Sequence, residues 1–189
     1  VLALIASNLW LAYRLLDAIN MIAYLFSVIL LPMFARIIKD KQSVEGLVKL
    51  AFTMIFTLAV TVSVALCFYN REFMDLLYIK HIDDSAAVFR FLILGFIPIA
   101  TTYIFGTLLT ANGNLKWLNI IAFSGMILNI TLNYILIPSY MAVGSAYASL
   151  ITQAYTAILQ IFMVQRLFRF RINYRFLIQL TIFVFIVLL

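Results

Sequence analysis

Long apolar runs separated by short charged clusters are the feature that most constrains how this sequence folds. A helix needs about 20 residues to cross about 30 Å of hydrocarbon. With 66% hydrophobic and 11% charged residues, the chain has the composition of a membrane protein. Apolar runs of suitable character occur at 9–34, 46–69, 85–110, 117–137, 145–165 and 176–189. The sequence therefore predicts an all-α, polytopic transmembrane helix bundle with about five full spans and one shorter run.

The two ends of the chain indicate that it is part of a longer protein. The apolar run at 176–189 is too short to cross a bilayer, and the sequence begins with Val1 and not with Met. No positively charged segment with a small-residue cleavage site follows, so a signal peptide is not predicted. We expect at least one further helix before the first span, and a sixth span that continues beyond residue 189.

Lysine and arginine residues concentrate in alternate loops. The segments 35–49, 111–116 and 166–175 each carry more lysines and arginines than acids, whereas 138–144 carries no charge. Cytoplasmic loops are enriched in these residues, so the three positive segments are predicted to face the cytoplasm of a multi-pass membrane protein. Attraction to anionic lipid explains the net charge of +6, and a nucleic-acid partner is not predicted.

Polar residues recur along one side of the first predicted span. Arg14, Asp17, Asn20 and Tyr24 follow one another at steps of three, three and four residues, which is helical spacing. Charged residues inside a membrane mark either a function or a structural pair. Arg14 either lines a water-filled path for an anionic substrate or reaches out to lipid headgroups near the outer interface, and these two interpretations stay open.

Small and amide residues mark the fourth and fifth predicted spans as a pair of closely packed helices. Small residues let helices approach, and asparagines form hydrogen bonds across the contact. The residues predicted to pack in this way are Gly125, Asn129, Asn133, Gly144 and Ala148. Two prolines carry further expectations: Pro98 is predicted to kink the third span, and Pro138 to mark the turn after the fourth.

Catalytic and metal-binding motifs do not occur in the sequence. It contains no Gly-rich phosphate loop, no zinc-type histidine pair and no serine elbow. Cys67 is the single cysteine and lies in an apolar run, where we expect it to pack and not to bind a metal. The sequence therefore predicts a protein that is not an enzyme and that has no catalytic residue, metal or cofactor.

Three short stretches resemble a known family of transporters. They are ANGNLK at 111–116, NITLNYILIP at 129–138 and GSA at 144–146. Together they are similar to the second half of bacterial polysaccharide or O-antigen flippases, in the multidrug, oligosaccharidyl-lipid and polysaccharide exporter superfamily. The family usually has a glycine just before the last stretch, where this chain has Met141-Ala142-Val143.

A fourth stretch, AYRLLD at 12–17, resembles the eighth helix of these exporters and of the lipid II flippases. In the latter an arginine, followed three residues later by an acid, lines the cavity that receives the lipid pyrophosphate. Arg14 and Asp17 match these two residues. The resemblance therefore implies a substrate cavity lined by Arg14, Asp17, Asn20 and Tyr24.

The resemblance also implies a mechanism, a substrate and a partner. Two helix lobes would give alternating access to an undecaprenyl-pyrophosphate-linked oligosaccharide for surface polysaccharide, in the bacterial inner membrane. The partners would be membrane lipid, that substrate and an N-terminal lobe of the same chain. One alternative is a cation-coupled multidrug exporter, which would be expected to place unpaired acids in its cavity. A second is a non-transporting scaffold or channel-like subunit, in which replacing Arg14 by alanine has no effect on function.

Overall fold

A computed structural model describes the backbone of residues 2–72 and 82–170, and within these ranges the side chains of residue 14 and of 16–72 and 87–170. Every regular element in this part of the chain is an α-helix, which confirms the predicted fold class. The helices are α1 (Leu2–Lys39), α2 (Glu45–Phe68), α3 (Ile82–Leu94), α4 (Phe96–Ala111) and α5 (Leu115–Phe168). The predicted run at 176–189 lies outside the described residues.

The surface of the bundle is apolar, as a bilayer requires. Ile29, Ile130 and Phe162, on three different parts of the chain, are each more than 60% exposed. Four segments are long and apolar enough to cross a membrane: Leu16–Lys39, Glu45–Phe68, Ala87–Ala111 and Leu115–Phe168. The described part of the chain therefore has the architecture of a multi-pass membrane protein.

The longest helix, α5, is a hairpin of two arms. A straight helix of 54 residues would be about 80 Å long, far more than a bilayer needs. The direction of the chain changes at Met141, whose φ of 48° and ψ of −125° are not helical. Contacts between the two arms, 115–140 and 142–168, place residue 125 beside 156 and residue 129 beside 152. The sequence predicted this turn at Pro138, and the structure places it three residues later, at Met141.

A break between α3 and α4 divides the third predicted span at Gly95 and not at Pro98. Proline has no N–H to donate to the carbonyl of Leu94, and its ring clashes with that carbonyl. Pro98 therefore sits in the first turn of α4, where a missing N–H costs little. The buried Ser63 hydroxyl donates a 2.8 Å hydrogen bond to the Ile93 carbonyl next to the break.

The pair α3 and α4 forms the centre of the bundle. Both helices pack against α1, α2 and α5, and a larger share of Ala87–Ala111 is buried than of any other candidate span of the described chain. The largest fully buried side chains on this pair are Phe89, Ile93, Phe96, Ile104 and Leu108. On α2 the small residues Ala51 and Ala59 face inwards, which lets the helix axes approach.

Candidate functional site

The predicted cavity residues run along α1 from an exposed side towards its contact with α4. At 3.6 residues per turn, Arg14 falls opposite the buried face formed by Leu16, Ala23 and Leu30. Arg14 and Asp17 are exposed, Asn20 is half-buried and Tyr24 is 47% exposed. The two charged residues are therefore the exposed members of this polar stripe, and Asn20 lies closer to the buried face.

Tyr24 connects the polar stripe of α1 to α4. Its ring meets the ring of Tyr103 edge to face, with centroids 6.2 Å apart and planes at 67°. The Asp17 carboxylate also lies near enough to the Tyr103 hydroxyl for an electrostatic interaction. Tyr103 was not among the residues that the sequence singled out, because nothing in an isolated span shows which helix will lie beside α1.

Asn20 supplies a buried acceptor on the same stripe. Within the described residues, Asn20 Oδ1 is buried and has no hydrogen-bond partner. The next polar residue, Ser27, donates instead to the Tyr24 carbonyl at 2.7 Å, so its hydroxyl is satisfied within α1. An unsatisfied amide oxygen inside a membrane is costly and is free to accept a hydrogen bond from water or a ligand.

Two further buried oxygens belong to residues that the sequence did not indicate. Thr102 Oγ1 on α4 and Gln160 Oε1 on the second arm of α5 have no hydrogen-bond partner among the described residues. Gln160 lies against Gly106: a β-carbon added to that glycine would be 3.2 Å from Gln160 Oε1. A glutamine within a long apolar run can be recognised in the sequence, but whether its amide is buried depends on which helices lie beside it.

The residues predicted to pack helices are found at the contact between the arms of α5. Asn129 Nδ2 donates to Thr152 Oγ1 at 3.3 Å, and Asn133 Nδ2 donates to Asn129 Oδ1 at 2.9 Å. A β-carbon at Gly125 would be only 2.7 Å from Thr156 Cγ2. The contacts of Asn129 with Thr152 and of Gly125 with Thr156 join the two arms, whereas the Asn133 hydrogen bond lies within the first arm.

Gly144 and Ala148 lie in the second arm close to the turn. A β-carbon at Gly144 would come within 2.5 Å of the Leu136 carbonyl oxygen, so this position admits only glycine. Ala148 is completely buried. The predicted residues thus fall into two separate groups, one on α1 beside α4 and one within α5, and they do not form a single site.

Metal-binding groups are not assembled in the described residues. No cluster of three or more His, Cys, Asp or Glu side chains occurs there. Cys67 is a free, half-buried thiol on α2. The chemistry that the α1 group offers is therefore binding chemistry: a guanidinium, a carboxylate, an amide and two phenols along one wall.

The chain matches the model of a known protein family. A family model described as lipid II flippase MurJ matches residues 5–189, which is nearly the whole chain. The search of curated proteins gives no match.

Proposed function

Because this chain belongs to the lipid II flippase MurJ family, we propose that it forms part of a flippase that moves a lipid-linked, pyrophosphate-bearing cell-wall precursor across the bacterial inner membrane. The observation that carries the proposal is the family match over residues 5–189. Flipping requires no covalent chemistry, in accord with a chain that offers binding groups and no catalytic motif.

Arg14 is proposed as the residue that receives the pyrophosphate. A guanidinium stays charged at all relevant pH values and can hold two phosphate oxygens at once. Its exposed position on α1, in line with Asp17, supports a role at the wall of a cavity. Asp17, Asn20 and Tyr24 continue this proposed wall, and Tyr103 extends it onto α4.

Alternating access is the proposed mechanism. The hydrophobic lipid tail stays in the bilayer while the sugar-pyrophosphate head passes through a polar cavity between two lobes. On this proposal the chain supplies one lobe, and the cavity is completed by helices of the other. The loops 35–49, 111–116 and 166–175 are proposed to be cytoplasmic because they carry most of the positive charge.

Complementation tests this function. A strain depleted of its own lipid II flippase would receive the full-length gene with Arg14→Ala, Arg14→Lys or, as a control, Arg90→Ala, which removes an exposed arginine on α3. We expect the wild type and Arg90→Ala to restore growth and lipid II flipping, and both Arg14 variants to fail at normal membrane abundance. Normal flipping by both Arg14 variants would show that this arginine does not receive the substrate.

A surface-polysaccharide precursor is the second candidate substrate. The stretches at 111–116, 129–138 and 144–146 favour it, and it shares the lipid pyrophosphate with lipid II. The same gene would be placed in a strain that lacks its O-antigen flippase. Restored surface polysaccharide without rescue of lipid II flipping would assign the protein to this pathway, and drug export without rescue of either strain would favour the multidrug alternative.

A further inference from the structure

A crevice between α1 and α2 is lined only by apolar side chains. Its volume is about 200 Å³. The side chains that shape it are Phe26, Ile29 and Met33 on α1 and Leu47, Leu50 and Met54 on α2. None of these residues belongs to the polar stripe or to the contact within α5, so the proposed function does not account for the crevice.

The shape of the crevice suits a hydrocarbon chain. The seven residue steps from Phe26 to Met33 rise about 10 Å along the helix axis, so the crevice runs parallel to the helices and hence across the leaflet. It opens at the side of the bundle, where Ile29 is 63% and Leu50 is 60% exposed.

Positive charge collects where the crevice meets the turn between α1 and α2. Arg36, Lys39 and Lys41 are all exposed there, and Asp40 is the single exposed acid among them. The nearby Glu45 is already paired with Lys49 at 2.7 Å. The turn therefore keeps a net positive charge that an anionic group can match.

Arg36 is placed to reach a headgroup above the crevice. It follows Met33 by three residues, and helical side chains lean towards the N-terminus of their helix, so Arg36 leans back over the turn that holds Met33. A long arginine stem can lie along apolar surface while its guanidinium stays at the interface.

From this arrangement we propose that the crevice binds one acyl chain of an anionic phospholipid, whose headgroup phosphate contacts Arg36 and Lys41. The lipid comes from the leaflet that meets the loop 35–49. The proposal needs only a bilayer and the described helices α1 and α2, so it stands or fails independently of what the protein transports.

Photolabelling tests the site directly. The full-length protein would be placed in phosphatidylcholine vesicles that contain phosphatidylglycerol with a photoactivatable diazirine in one acyl chain, and labelled residues would be mapped by mass spectrometry. We expect Met33 and Met54 to be labelled several-fold more than Met126, a methionine on α5 that is similarly exposed to lipid. Unlabelled phosphatidylglycerol should compete for this labelling, and unlabelled phosphatidylcholine should not.

Two pairs of variants separate a specific site from general attraction to lipid. Ile29→Trp fills the crevice and should lower the labelling of Met33 and Met54 several-fold, whereas Ile130→Trp, at a position of nearly equal exposure, should leave it unchanged. Arg36→Gln with Lys41→Gln should abolish the preference for phosphatidylglycerol, whereas Lys116→Gln with Arg166→Gln should keep it.

Three results would overturn the proposal. One is labelling of Met33 and Met54 no stronger than that of Met126. The second is unchanged labelling in Ile29→Trp when its abundance and gel-filtration profile match the wild type. The third is that both charge-reduced proteins lose the preference for phosphatidylglycerol equally. Each lacks two positive charges, so an equal loss would indicate general attraction to the membrane and not a site at Arg36 and Lys41.

Discussion

At the scale of single residues, Gly125 shows how closely the arms of α5 approach. Because Gly125 has no β-carbon, the Thr156 methyl group can lie only 2.7 Å from the position that this carbon would occupy. Helices in a bilayer gain little from the hydrophobic effect when they associate, so close van der Waals contact and hydrogen bonds stabilise the pair. The Asn129 to Thr152 hydrogen bond lies one turn away and adds to the same contact.

Substitution of Gly125 should therefore weaken the hairpin. We expect Gly125→Ala to lower the free energy of unfolding by about 1–3 kcal/mol, because overpacking forces the arms apart. Thr156→Ser removes the methyl group that the new β-carbon meets and should restore much of this loss. The measurement is unfolding in mixed detergent micelles, followed by tryptophan fluorescence or circular dichroism.

Gly46→Ala is the matched control for this prediction. A β-carbon at Gly46 meets no atom within 4 Å, and alanine is the better helix former. Stability should be unchanged or slightly higher. Equal losses in Gly46→Ala and Gly125→Ala would mean that the effect does not come from the contact with Thr156.

At the scale of elements, the turn of α5 depends on a methionine in a conformation that suits glycine. Met141 has a φ of 48° and a ψ of −125°, a backbone conformation in which a β-carbon is strained. A residue with a side chain in this conformation carries local backbone strain of about 1–3 kcal/mol.

Met141→Gly should relieve this strain. We expect the free energy of unfolding to rise by about 1 kcal/mol, since glycine adopts positive φ at no steric cost. Met126→Gly, in the regular part of the first arm, should instead lower it by about 1 kcal/mol. Opposite signs for the two substitutions, measured by the same unfolding assay, would support the assigned turn, and a loss of stability in Met141→Gly would contradict it.

The break between α3 and α4 is the second feature at the scale of elements, and it concerns the third predicted span. The sequence correctly indicated an irregularity in the third span, but the irregularity begins at Gly95, three residues before the proline that causes it. The reason is that proline disturbs the carbonyl four residues earlier and not its own position. Ser63 supports the break from α2 through its bond to the Ile93 carbonyl, a contact between residues 30 positions apart.

At the scale of the whole molecule, the hairpin brings two of the positive loops to the same end of α5. With the turn at Met141, residues 129 and 152 lie side by side, and by the same register Lys116 and Arg166 come to the same end of α5. Two of the three positive loops therefore share one side of the bundle, as the distribution of lysine and arginine predicts.

Cysteine accessibility measures this orientation in cells. In a Cys67→Ser background, cysteines placed at Gln42 and Lys116 should react with a membrane-impermeant maleimide only after the membrane is opened. A cysteine at Ser139, beside the uncharged turn, should react in intact spheroplasts. The reverse pattern of labelling would show that the orientation inferred from the loop charges is wrong.

The candidate site could be predicted in part. Spacing at three and four residues placed Arg14, Asp17, Asn20 and Tyr24 along one side of a helix, because that periodicity depends only on local geometry. Spacing carried no information about Tyr103, Thr102 or Gln160, whose importance comes from which helices lie beside one another. The surface-polysaccharide substrate stays a prediction, since the family match is to lipid II flippases.

By itself, the sequence determined that this protein is a helical membrane protein, because hydrocarbon admits only segments that satisfy their own backbone hydrogen bonds, and the length of such segments can be read directly. It also indicated a flippase and the residues of its polar wall. The tertiary structure alone decided that α3 and α4 form the centre, that α5 turns at Met141, and that an apolar crevice separates α1 from α2. These features depend on contacts between residues far apart in the chain, and the apolar periodicity of each span is compatible with many such arrangements.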